Sequence, residues 1–119
     1  MLRRIMDSSL QTHLLSHWVR ERQELTLEEA VRQITYNTAT LWKLHDRGLL
    51  REGMAADVVV FDADTVGPQL PQVVNDLPAG ERRLKQVANG IKHTLVNGQV
   101  LLTNNEPEGA LPGRLLRAK

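Results

Sequence analysis

The sequence predicts an α+β fold, N-terminal helices followed by a small β-sheet, on three observations. Apolar residues recur at helical spacing over the first 48 positions. A β-branched run follows at Val58–Phe61, and Asn97-Gly98 stands between two apolar runs near the end. With 119 residues the chain reads as a single domain, 1–119, with a helical part over 1–48 and a strand, loop and hairpin part over 49–119.

Each element has its own reason. Leu10, Leu14, Leu15, Trp18 and Val19 share one helical face, which predicts a first helix ended by the charged run Arg20-Glu21-Arg22-Gln23-Glu24. Thr26 and Glu29 stand at capping-box spacing, so a second helix starts there and turns Leu27, Ala30, Val31 and Ile34 to one side. Asn37 is read as the cap of a third short helix through Ala39, Leu41, Trp42 and Leu44, with Gly48 as its stop. Val58-Val59-Val60-Phe61, without alternation, reads as a strand buried on both faces. Residues 63–80 hold Pro68, Pro71 and Pro78 and no basic residue, which predicts a surface loop with a short extended piece at Gln72-Val73-Val74. Asn97-Gly98 predicts a type I′ hairpin within Gly90 to Thr103, because both turn positions need positive φ. The tail from Asn104, with Gly109, Pro112 and Gly113, is expected to wrap the surface without regular structure.

Composition excludes several function classes. A (β/α)₈ barrel takes about 250 residues, more than this sequence holds. Zero cysteine removes disulfides and thiolate metal sites and favours a cytoplasmic location. Fifteen Lys and Arg against fourteen Asp and Glu leave a charge of +1 with no basic block, which argues against nucleic acid as a partner. Arg3 and Arg4 are followed by no apolar h-region, and no run approaches the ~20 apolar residues of a membrane span, so neither export nor a membrane partner is expected.

The chemistry-bearing residues are sparse. His13 and His17, four apart on the first helix, are the candidate metal pair, with Asp7 or Glu21 as the local third ligand; the bland reading is two histidines at a polar edge. Ser8 and Ser9 lack a nucleophile elbow, and helix capping by Asp7 or Ser8 is the expected use of that segment. Asp57 and Asp62, an odd number of residues apart, fall on opposite strand faces and read as strand-end carboxylates that bond turn amides. Arg82, Arg83, Lys85 and Lys92 read as a solvated basic face. None of these patterns assigns a catalytic residue.

Larger pieces carry a resemblance. Leu25-Thr26-Leu27-Glu28-Glu29-Ala30-Val31, Thr38-Ala39, and the run Asp46-Arg47-Gly48-Leu49-Leu50-Arg51-Glu52-Gly53-Met54-Ala55-Ala56-Asp57-Val58-Val59-Val60-Phe61-Asp62 resemble the C-terminal end of amidohydrolase-superfamily enzymes. Asn75-Asp76-Leu77-Pro78-Ala79-Gly80, Val96-Asn97-Gly98-Gln99-Val100 and Gly109-Ala110-Leu111-Pro112-Gly113-Arg114 look like the N-acyl-D-amino-acid deacylase (D-aminoacylase) branch. The resemblance implies that the helices are the last helices of a metal-dependent barrel and that the strands are half of a composite β-sandwich completed by N-terminal strands. It also implies C–N bond hydrolysis by a metal-activated water and an aspartate. The family's Ser-Asp-x-Gly-type segment has no match in Leu2-Arg3-Arg4-Ile5-Met6-Asp7, so the catalytic aspartate is not carried over to Asp7. Zinc is implied for full-length relatives alone, and the chain itself is assigned no cofactor. The expectation is a non-catalytic C-terminal domain that forms a homodimer through the helical residues Leu14, Trp18, Val31 and Ile34 and the strand residues Val58 and Val60. The alternative is a protein-interaction module or complementing subunit that uses exposed sheet edges.

Overall fold

The computed structural model describes residues 8–117. Its first helix is α-helical at Leu10–His13 and continues with π-helical hydrogen bonding through Leu14–Glu21. It ends at Gln23, which takes a left-handed φ of 53° while the Glu24 amide reaches back to the Trp18 carbonyl. The second helix starts on a complete capping box: the Thr26 hydroxyl accepts from the Glu29 amide, and the Glu29 carboxylate accepts from the Thr26 amide.

From there the backbone is helical without a break through Leu27–Arg32, a π-helical Gln33–Asn37 and Thr38–Leu41. The separate third helix expected at Asn37 is therefore corrected: Asn37 has helical dihedrals and its side chain caps nothing. Gly48 is not the stop either. The helix ends four to five residues earlier in a Schellman arrangement, with Lys43 at φ 56°, its amide on the Thr40 carbonyl and the Leu44 amide on the Ala39 carbonyl. A lysine thus holds the left-handed position that sequence reasoning reserved for glycine. Gly48 serves close approach instead, since a Cβ there would stand 2.8 Å from the Ala39 Cβ.

The strand half holds one four-stranded antiparallel sheet in the order β1 (Val58–Phe61), β6 (Ile91–Val96), β7 (Gln99–Thr103) and β8 (Glu106–Pro107). Two short ribbons flank it: β2 (Gly67–Pro68) with β5 (Ala88–Asn89), and β3 (Gln72–Val74) with β4 (Arg83–Lys85). The β6–β7 turn has Asn97 at φ 49° and Gly98 at φ 79°, the type I′ geometry that the sequence demands. Gln72-Val73-Val74 is the extended piece expected inside the loop.

Two strand-half expectations are corrected. β1 is an edge strand, paired on one side by β6, and Val59 and Val60 are 51% and 42% exposed, so it is not buried on both faces. An unbroken apolar run specifies a strand, but burial needs a second layer of chain, and none of the described residues supplies one over Val59 and Val60. The tail is not wholly irregular, because left-handed Asn104 and Asn105 turn it back so that Glu106 and Pro107 pair with Thr103 and Leu102.

Helices and sheet meet at one junction. Val66 is fully buried, with Leu15 and Ala30 beside it and Leu14, Val19, Leu27, Val31, Ile34, Phe61 and Ile91 packed partly against them. Close approach is made by small residues: Ser16 is buried against Gly67, and a Cβ on Gly90 would lie 2.6 Å from the Val66 amide nitrogen. Arg20 ties the first helix across the junction by donating to the carbonyls of Ala63 (3.1 Å) and Val66 (2.7 Å). Among the described residues only Ala39 joins Leu15, Ala30 and Val66 as a buried apolar side chain. The radius of gyration, 15.9 Å, exceeds the about 13.5 Å of a compact domain this long. The fold is ordered locally and open globally.

Candidate functional site

The opening lies between the helices and the sheet. It is a cleft of about 1330 Å³ walled on the helical side by Leu15, Val31, Ile34 and Tyr36, on the linker by Leu49 and Leu50, and on the sheet by Val58, Val59, Phe61, Ile91 and Leu102. Small-molecule sites span about 300–1,000 Å³ and converge a few polar groups on a ligand. This cleft is larger, and polar side chains, among them Thr12, Glu28, Arg32, Thr35 and Thr94, line it beside the apolar ones; Ser8 donates to the Gln86 side chain (2.7 Å), and Gln86 in turn donates to the Gln69 carbonyl (2.8 Å). Helix capping by Ser8 is thereby corrected, and the N-cap residue Ser9 makes no side-chain cap bond; Asp7 lies outside the described residues.

The residues expected at an interface distribute unevenly. Leu14, Val31 and Ile34 are half-buried against the junction core, Trp18 is 39% exposed, Val58 is half-buried on the cleft wall, and Val60 is exposed. Val60 neighbours an outer strand edge that no other described strand pairs.

A polar clamp that sequence reasoning missed holds the far end of the sheet. Arg47, with 11% of its side chain exposed, pairs with the Asp57 carboxylate and donates to the Asn97 side-chain oxygen (2.8 Å). Asp57 also accepts from the Asn97 amide (2.9 Å), and the Asn97 side chain donates to the Pro112 carbonyl (2.7 Å). Linker, strand start, hairpin turn and tail are joined at one point. Burial pushes the Asp57 carboxyl up, but the Asn97 amide, the Arg47 hydrogen bond and the Arg47 charge together hold it below its ordinary value. Asp62 accepts from the Asp64 amide (3.0 Å), so both aspartates bond turn amides as strand-end carboxylates do. The signal for the clamp was Arg47 itself, a charged residue beside Gly48 in a segment with no helical face to solvate it. Within the basic group, Arg83 is held by both carboxylate oxygens of Asp76 at 2.6 Å, which lowers the Asp76 pKa and raises that of Arg83.

The histidines sit on the exposed side of the first helix. The rings of His13 and His17 stack with centroids 5.0 Å apart and planes 12° from parallel, and His17 Nδ1 lies 3.0 Å from a Glu21 carboxylate oxygen. Among the described residues no three His, Asp or Glu side chains stand together as a metal-holding group. The donor set does not fit a catalytic zinc centre, which takes three protein ligands and an open position. No described helix is long and apolar enough to cross a membrane.

Comparison with known proteins agrees with this geometry. The sequence model of the amidohydrolase family matches residues 2–102. The chain is 42% identical over 106 residues to an N-acyl-D-glutamate deacylase of Alcaligenes xylosoxydans xylosoxydans, across 89% of this chain and 20% of that one. It is 34% identical to an N-acyl-D-aspartate deacylase of the same organism, across 88% of this chain and 19% of that protein. A crystal structure of D-aminoacylase superposes with a TM-score of 0.71 at 32% identity, over 90% of this chain and 21% of that one. The N-acyl-D-glutamate deacylase of Bordetella bronchiseptica, solved with zinc and a phosphonate inhibitor, gives 0.69 at 36% identity, over 90% and 20%. The chain spans about a fifth of the length of these relatives.

Proposed function

Because the chain belongs to the amidohydrolase family, we propose that it is a non-catalytic C-terminal portion of an N-acyl-D-amino-acid deacylase, and that its task is to pack against other protein. The single observation that supports this reading most is the cleft. A wide, apolar, two-walled opening above a core of very few buried side chains is the shape of an unfinished protein interface. Zinc and C–N hydrolysis belong, on this reading, to the full-length relatives, and no hydrolytic step is assigned to the residues of this chain. A cytoplasmic location is part of the same proposal, since the sequence has no cysteine for an oxidising compartment to pair.

On this reading a second copy covers the cleft, and the assembly is a homodimer. The exposed Val59 and Val60 on the free edge of β1 favour a second reading, in which the chain is a complementing subunit that takes a strand from a separate protein. The test is hydrolysis of N-acyl-D-glutamate by the purified chain with added zinc. The proposal expects release of free D-glutamate at the rate of the protein-free blank. Turnover accompanied by one bound zinc per chain would overturn it.

A further inference from the structure

We propose that His13 and His17 form a surface chelate for a divalent transition-metal ion, a site independent of the cleft. Three features of the first helix point to it. The two imidazoles are four residues apart on one face and already in contact, with near-parallel rings at 5.0 Å. His17 Nδ1 is held at 3.0 Å by the Glu21 carboxylate one turn further along. A neutral His17 that donates from Nδ1 to this carboxylate presents Nε2 to a metal ion, the carboxylate–histidine arrangement that supports metal-bound imidazoles. Finally, this face points away from the cleft, whose wall takes Gln11, Thr12 and Leu15 from the same helix, so a partner seated there leaves the pair accessible.

Stacked rings do not aim at one ion, because each lone pair lies in its own ring plane. The correction is a rotation about χ2, a broad torsion for histidine, and His13 is exposed enough to make it. Two imidazoles then bind the ion, and water completes the shell. Zinc, nickel and copper suit such donors, whereas calcium and magnesium prefer oxygen. Glu21 acts as a positioning residue through His17 and does not itself bind the ion.

The experiment titrates the full chain with zinc chloride, and separately with copper(II) chloride, following heat of binding and the histidine ring resonances by NMR. The expected result is one ion per chain, with copper broadening the His13 and His17 signals and sparing those of His45 and His93. His17→Ala and His13→Ala each lower affinity at least about tenfold, and Glu21→Gln lowers it by about tenfold through the lost orientation of His17. Circular dichroism on each variant confirms that the helix is intact. Equal affinity of wild type and the double variant His13→Ala/His17→Ala overturns the site, as does copper broadening centred on His45 or His93. Unchanged affinity in Glu21→Gln overturns the positioning role of Glu21.

Discussion

The β6–β7 hairpin and the helix–sheet cleft are opposite cases within one chain. The hairpin is made of local pieces, two adjacent runs and a turn whose left-handed positions are filled by Asn97 and Gly98, and Arg47 and Asp57 hold its tip from outside. The cleft has two well-formed walls with nothing between them among the described residues, and the buried apolar side chains gather in a small junction around Val66. Local signals specify elements without asking whether the elements will be covered. Tertiary burial needs chain from a distance in sequence, which a strand's or helix's own residues do not encode.

The contrast can be broken at the junction first. Gly90 has φ 72°, and a Cβ there would sit 2.6 Å from the Val66 nitrogen and 2.7 Å from its Cα, both backbone atoms that cannot swing away. Gly90→Ala is expected to cost about 3 kcal/mol from left-handed strain and overlap together, read as a lower chemical-denaturation midpoint. Thr26→Ala comes next. It removes one half of the capping box of the second helix and should cost about 1 kcal/mol, with loss of amide protection confined to the first turn after Leu27.

The smallest effect lies at the clamp and is a pH dependence. The Asp57 carboxyl is held below its ordinary value of about 3.9, so the stability it contributes is present above that value and is lost as pH falls through the depressed folded-state pKa. Denaturation midpoints should therefore decline below about pH 4, and Asp57→Asn should flatten part of that decline. The exposed Asp76–Arg83 pair acts in the same window with the same sign and retains its share in that variant.

How far the sequence could be read follows the same division. The capping box at Thr26 and Glu29 and the Asn97-Gly98 turn rest on contacts within a few residues and stand in the structure, and the strand at Val58 was legible from its β-branched run although its ladder partner is the distant Ile91–Val96. The exposure of Val59 and Val60 did not show, because a β-branched run has the same composition whether or not a layer covers it. The π-helical winding of Leu14–Glu21 and Gln33–Asn37 left no mark, since both stretches carry ordinary helix-forming spacing. Lys43 in a left-handed cap defied residue preference, because the Schellman bonds to Thr40 and Ala39 outweigh the cost of its Cβ. At the candidate site, the histidine pair was visible as a spacing, whereas Arg47, Asp57 and Asn97 are brought together by folding alone. The family likeness was legible in the turn-and-strand run around Gly53 to Asp62 and is matched by the relatives across most of the chain.

The central claim is that the cleft is an interface awaiting protein, and the solution mass of the purified chain across a dilution series tests it most directly. Light scattering should give twice the 13.4 kDa chain mass, with dissociation on dilution exposing apolar surface to a fluorescent hydrophobic dye. A 13.4 kDa species at every concentration, with no dye binding, would contradict the account.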